Sequence, residues 1–148
     1  MNEQNRPSDT QHDRPADAGV GSSTPAGSLR PEVICICGST RFADLHAIKR
    51  WEFERTGKAI CLMINYLPAS YAADQGWTGN DHFGEASGTK DVLDELHLRK
   101  IDLANRIYVI NPGGYIGDST KREIGYAVKT GKPVEFMEPP SPVTDTAK

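Results

Sequence analysis

The stretch NPGGYIGDSTKREIGYA, residues 111–127, carries a carboxylate, Glu123, just beyond a turn that holds Gly113, Gly114 and Gly117. An acid placed there has two uses. Thr120-Lys121-Arg122-Glu123 fits a capping box, in which the acid reaches back to the first N–H of a helix. A carboxylate at the mouth of a Gly-rich turn also suits attack on something held in that turn. Gly125 and Ala127 follow the acid and thin the helix, so that a strand or ligand can lie close.

A second stretch, CGSTRF at 37–42, supplies groups for an anion. Gly38 lets the backbone approach a ligand closely. Ser39 and Thr40 offer hydroxyls and N–H groups at a helix N-terminus, which suits phosphate. Arg41 adds a planar fork of donors. A helix cap from Ser39 or Thr40 fits the same turn, but a cap has no need of Arg41. A third group, Asp102, sits among Leu and Ile near a helix C-terminus, where an acid is disfavoured. Either it has a task, or it pairs with Arg99 or Arg106.

The elements that position these groups alternate. The apolar runs EVICIC (32–37), KAICLMI (58–64), IYVIN (107–111) and PVEFM (133–137) predict buried strands. The stretches 42–57, 91–106 and 120–131 predict amphipathic helices, the first and last closed by Gly57 and Gly131. In 91–106 the stripe is Val92, Leu93, Leu96, Ile101 and Ala104. This alternation predicts a single α/β Rossmann-like domain at 31–138. Its sheet is parallel, in order 2-1-3-4, with helices on both faces. In such sheets ligands bind at the carboxyl ends of the strands. There, neighbouring first and third strands would set the two turns across one crevice.

Residues 1–30 and 139–148 are rich in Pro, Ser, Thr and charged groups and poor in large apolar ones, which predicts disordered tails. Residues 65–90 form a long connection with Tyr66, Tyr71, Trp77, His82 and Phe83, read either as a cover over a site or as an excursion tucked on the core.

The 148-residue chain has a net charge of -3, which argues against a nucleic-acid partner but leaves room for a single nucleotide. Three cysteines, Cys35, Cys37 and Cys61, lie in apolar runs. Cys35-Ile36-Cys37 is not a zinc knuckle, because no second pair follows. They read as buried strand thiols, with no metal and no cofactor expected. No apolar leader or membrane-length segment is present in the sequence, and the expected residence is cytoplasmic.

Together these residues resemble the nucleoside 2-deoxyribosyltransferase superfamily. The closer likeness is to its hydrolytic branch, the 2'-deoxynucleoside 5'-monophosphate N-glycosidases and the CMP-type N-glycosidases of nucleoside-antibiotic pathways. The resemblance covers about 33–137 and rests on CGSTRF, RKIDLANRIYVIN and YIGDSTKREIGYAVKTGKPV. PGGYIGDSTKRE also resembles, at longer spacing, the PGGxGTxxE signature of cytokinin-type phosphoribohydrolases. The resemblance implies that Glu123 attacks the anomeric carbon and that Asp102 assists the departing base or positions the sugar. Gly38, Ser39, Thr40 and Arg41, with Ser119, would hold the 5'-phosphate. Phe42, Gly114, Tyr115 and Asp118 complete the expected substrate-binding set. Phe42, Tyr66 and Tyr71 all qualify as the aromatic that stacks on the base. A homodimer is implied, with a neighbouring subunit closing the site. The implied activity is hydrolysis of the N-glycosidic bond of a nucleoside 5'-monophosphate to free base and (deoxy)ribose 5-phosphate. The alternatives are a deoxyribosyltransferase on free nucleosides and a nucleotide-sensing module without turnover.

Overall fold

The computed structural model describes residues 30–76 and 87–140. Apart from their innermost residues, the expected tails lie outside this range, as do Trp77, His82 and Phe83. The chain runs through β1 (Glu32–Gly38), α1 (Ala43–Glu54), β2 (Ala59–Leu62), α2 (Ala69–Asp74), α3 (Lys90–Leu103), β3 (Arg106–Ile110), α4 (Asp118–Lys129) and β4 (Val134–Phe136). Short 3-10 turns at Thr40–Phe42 and Pro112–Gly114 follow β1 and β3. The four strands form one parallel sheet in the order β2-β1-β3-β4, as the alternation predicts.

Side-chain alternation along β1 divides the core in two. Ile34 and Ile36 join Tyr108 and Ile110 beneath the α1 side, packed by Phe42, Leu45 and Phe53. Cys35 and Cys37 face the other way, into Leu98 and Ile101 of α3 and Ala127 of α4. Ile34, Ile36, Ile101 and Ile107 are wholly buried, each worth roughly 1.5–3 kcal/mol over an exposed position.

The buried face of α3 differs from the predicted stripe. It is His97, Leu98 and Ile101 that are buried, while Val92 and Leu96 point outward. Leu96 and Ile101 are five residues apart, off the 3.6-residue period, whereas His97 and Ile101 keep it. The long connection also holds a helix, α2, that its weak periodicity conceals.

The two ends of the sheet differ in character. At the amino end Arg106 pairs with Glu32 and Glu135, and Asn105 Oδ1 accepts from the Val33 N–H at 2.7 Å. Lys132 Nζ donates there to the carbonyls of Asp102 and Ala104. That end is saturated. The carboxyl end carries the groups whose bonds are incomplete.

Candidate functional site

Gly38 ends β1 beside Ile110 of β3, so the two special turns are neighbours as expected. A methyl group on Gly38 would lie 2.9 Å from the Ile110 carbonyl oxygen and 3.0 Å from His46 Nε2. The missing side chain of Gly38 makes room for β3 and for His46 of α1. Ser39 caps the 3-10 turn, its Oγ accepting from the Arg41 N–H at 3.3 Å. Thr40 and Arg41 stand exposed. The Arg41 guanidinium lies 4.5 Å from the centre of the Tyr115 ring, and Phe42 meets the same ring edge-on at 5.9 Å. Arg41, Phe42 and Tyr115 therefore form one surface across the two turns.

The second turn is held from below. Gly113 and Gly114 take positive φ, and the Gly113 N–H donates to the Glu138 carboxylate at 2.9 Å. The fully buried Asn111 exchanges two 2.9 Å hydrogen bonds with the Glu138 backbone, tying the end of β3 to the residues after β4. Gly125 faces open space, so the thinning expected there is absent; Ala127, wholly buried, does pack on β1.

The capping-box reading of Glu123 is corrected. α4 starts at Asp118 after Gly117, with no side-chain cap, and Glu123 sits a turn and a half inside it. Thr120, Glu123 and Ala127 form the buried stripe of α4, so a carboxylate occupies a position where the helical period calls for an apolar group. Glu123 is only 6% exposed. Its Oε2 lies 3.8 Å from His97 Nε2 of α3 and makes no hydrogen bond. Burial pushes the Glu123 carboxyl up to about 7; His97 and then Cys37 pull against that rise, and Cys35 and Asp94 add to it. Glu123 therefore stands near its titration midpoint at neutral pH.

Beneath Glu123 lies a buried cluster. His97 Nε2 is 3.4 Å from Cys37 Sγ and 3.7 Å from Cys35 Sγ. The adjacent Cys37 thiol is the main cause holding Cys35 down near 6, against burial and with help from His97. Cys37 is pushed up, by Cys35 first and then by burial. Burial alone would lower His97, but the hydrogen bond and charge of Cys35 and the charge of Glu123 raise it.

Across β1, His46 is fully buried with no hydrogen bond to either ring nitrogen, and burial pushes it down to about 4. Tyr66 meets it edge-on at 5.7 Å and leaves its own buried hydroxyl unpaired. Among the described residues, the buried side-chain polar atoms without partners belong to His46, Tyr66, His97 and Glu123. Such atoms are uncommon in a folded chain and mark places where water or a ligand completes the bonding.

A shallow, open crevice reaches Glu123, lined also by Asp94, Leu98, Ser119 and Arg122. Ser119 accepts from Lys90 Nζ at 3.3 Å, whereas Asp118 is exposed and faces Lys121.

Asp102 is not brought to this place. It accepts from the Tyr126 hydroxyl at 2.6 Å and pairs with Arg99 at 2.8 Å. Because α3 runs back toward the start of β3, Asp102 lies at the amino end of the sheet. The pairing expectation for Asp102 holds, with Arg99 as the partner. The carboxylate that shares the crevice with Glu123 is Asp94, two turns earlier on α3. His97, Asp94, His46 and the role of Cys37 were missed by sequence reasoning. The signal for His97 was there: a histidine four residues before Ile101 on an amphipathic helix.

No family model matches the chain, and no curated protein matches it. Among the described residues, no helix is long and apolar enough to cross a membrane.

Proposed function

We propose that the chain hydrolyses the N-glycosidic bond of a nucleoside 5'-monophosphate, with Glu123 as the nucleophile. One observation carries this reading: a buried, unpartnered carboxylate beside the Cys37–His97 cluster, where Cys37 stands near the carboxyl end of β1, the strand that leads into the Ser39–Arg41 turn. Departure of the base leaves oxocarbenium character on the sugar. The ionised Glu123 forms a bond to the anomeric carbon as the bond to the base breaks, and water then cleaves that ester to release the pentose phosphate. Asp94, paired with Lys90 at 2.6 Å, is the carboxylate that shares the crevice and is placed to orient the leaving base in place of Asp102; the base takes its proton from water. The 5'-phosphate at the Ser39–Arg41 turn anchors the substrate away from the reacting bond and supplies orientation. Phe42 and Tyr115 offer apolar surface beside Arg41.

The crevice is too shallow to enclose a nucleotide by itself. A second copy of the chain supplies the missing wall in this reading. Val92, Leu96 and Leu103 form an exposed apolar stripe on α3, suited to a homodimer contact. The free thiols fit a reducing, cytoplasmic compartment. The test is incubation with the common and modified nucleoside monophosphates, with detection of free base and pentose 5-phosphate. Release from monophosphates well above release from nucleosides is the expected result. Equal or faster turnover of nucleosides in the presence of a second base would make the protein a transferase.

A further inference from the structure

We propose that Cys35, Cys37, His97 and Glu123 form a binding site for a thiophilic divalent cation, with zinc as the best fit. The donors come from three elements. Cys35 and Cys37 project from the same face of β1, His97 from α3 and Glu123 from α4.

From His97 Nε2 the other donors lie at 3.4 Å (Cys37 Sγ), 3.7 Å (Cys35 Sγ) and 3.8 Å (Glu123 Oε2). Tetrahedral zinc, with bonds of about 2.3 Å to sulfur and about 2.0–2.2 Å to nitrogen and oxygen, separates such donors by roughly 3.4–3.6 Å. The two sulfurs and the imidazole nitrogen all lie within 4.8 Å of one another. Cys35, Cys37 and His97 thus need only small rotamer adjustments to meet around one ion, and Glu123 must swing further in to complete the tetrahedron.

Burial supplies a second, separate argument. Cys35 and Cys37 are 0% exposed and His97 3%. A buried cation needs its charge balanced, and two thiolates cancel a divalent one. Glu123 Oε2, buried and without a hydrogen bond, lies 3.8 Å from His97 Nε2 at the edge of the tighter Cys35–Cys37–His97 group. An apolar core has no use for that carboxylate, whereas a cation would bond it. The donor set is spread from residue 35 to residue 123, so no compact ligand motif exists in the sequence.

This site does not depend on the glycosidase reading. The two share Glu123, and a Glu123 that ligates a cation cannot attack a sugar, so the loaded form would be inactive in base release.

The test is a Co²⁺ titration of the full chain, first stripped with chelator and kept reduced. The proposal predicts one equivalent bound, a thiolate-to-cobalt charge-transfer band, d–d bands of tetrahedral strength, and displacement by Zn²⁺. Cys61→Ser should leave the spectrum unchanged. Cys35→Ser and Cys37→Ser should each weaken binding by about 100-fold or more, in line with losses on disturbing metal sites. Wild-type protein that is folded by circular dichroism but gives no charge-transfer band overturns the site. So does a spectrum that survives the two serine substitutions together. No substrate enters this measurement, and base release by the metal-free protein is read separately, so either idea can fail alone.

Discussion

Glu123 Oε2 of α4 lies 3.8 Å from His97 Nε2 of α3, with Glu123 6% and His97 3% exposed. An acid in this place weakens the fold once it ionises. Burial raises its pKa from 4.5 to about 7. Between those values the unfolded chain has lost the proton and the folded chain still holds it. The unfolded state therefore binds fewer protons, and stability falls as pH rises through this window. A shift of this size corresponds to roughly 3 kcal/mol. We predict that, in metal-free protein, Glu123→Gln raises Tm by several degrees at pH 7.5 and by little at pH 4.5. Melting curves across that range check it, and a pH-independent difference would show that Glu123 is not held protonated.

Two glycines should respond oppositely to alanine. At Gly38 the added methyl meets the Ile110 carbonyl oxygen at 2.9 Å, on backbone with φ +151°. Gly38→Ala should destabilise by about 2 kcal/mol or more. Gly125 is exposed in the interior of α4 with nothing within 4 Å of the new methyl. Gly125→Ala should stabilise by about 0.5–1 kcal/mol. Denaturant unfolding of both variants measures the contrast.

The fold was legible because it rests on local patterns. Four apolar runs alternating with amphipathic stretches leave little choice but a parallel sheet, and the first βαβ unit sets β1 at its centre. The site was only partly legible. Glu123 and the Ser39–Arg41 turn stand out by composition. Asp102 stood out too, but its position along α3 decides which end of the sheet it reaches, and a run of helical residues does not advertise that. His97 was hidden by a misplaced stripe on α3. The Cys35–Cys37–His97 cluster was hidden because its members meet only through tertiary packing: a Cys-x-Cys on a strand reads as core until a helix delivers the imidazole.

Asp102 should be dispensable for turnover. Its partners are Arg99 and Tyr126 at a half-exposed surface, where such pairs are worth about 1 kcal/mol or less. We predict that Asp102→Asn keeps base release within about twofold of wild type, whereas Asp94→Asn lowers it by about 10²-fold, the scale of a misplaced substrate. Initial rates of the two variants decide between the carboxylates, and a large loss at Asp102 would restore it to the site.

Arg41 is exposed and stacked 4.5 Å from the Tyr115 ring centre, with its fork free to meet an anion. Arg41→Ala should raise KM for nucleoside monophosphates by about 10–100-fold, the worth of a charge-assisted bond of about 1.5–3 kcal/mol. KM for free nucleosides should barely change. Equal effects on both substrates would mean that Arg41 serves the turn and not the phosphate.

The most direct test of the central claim is base release by Glu123→Gln, measured beside a nucleotide-binding titration and a melting curve. The amide keeps the shape of the side chain and removes the nucleophile. The account predicts a fall in turnover of at least about 10³-fold, some 4 kcal/mol in the barrier, with binding retained and the fold intact. A variant that releases base as fast as wild type would contradict it and leave the buried carboxylate to the cation or to nucleotide sensing.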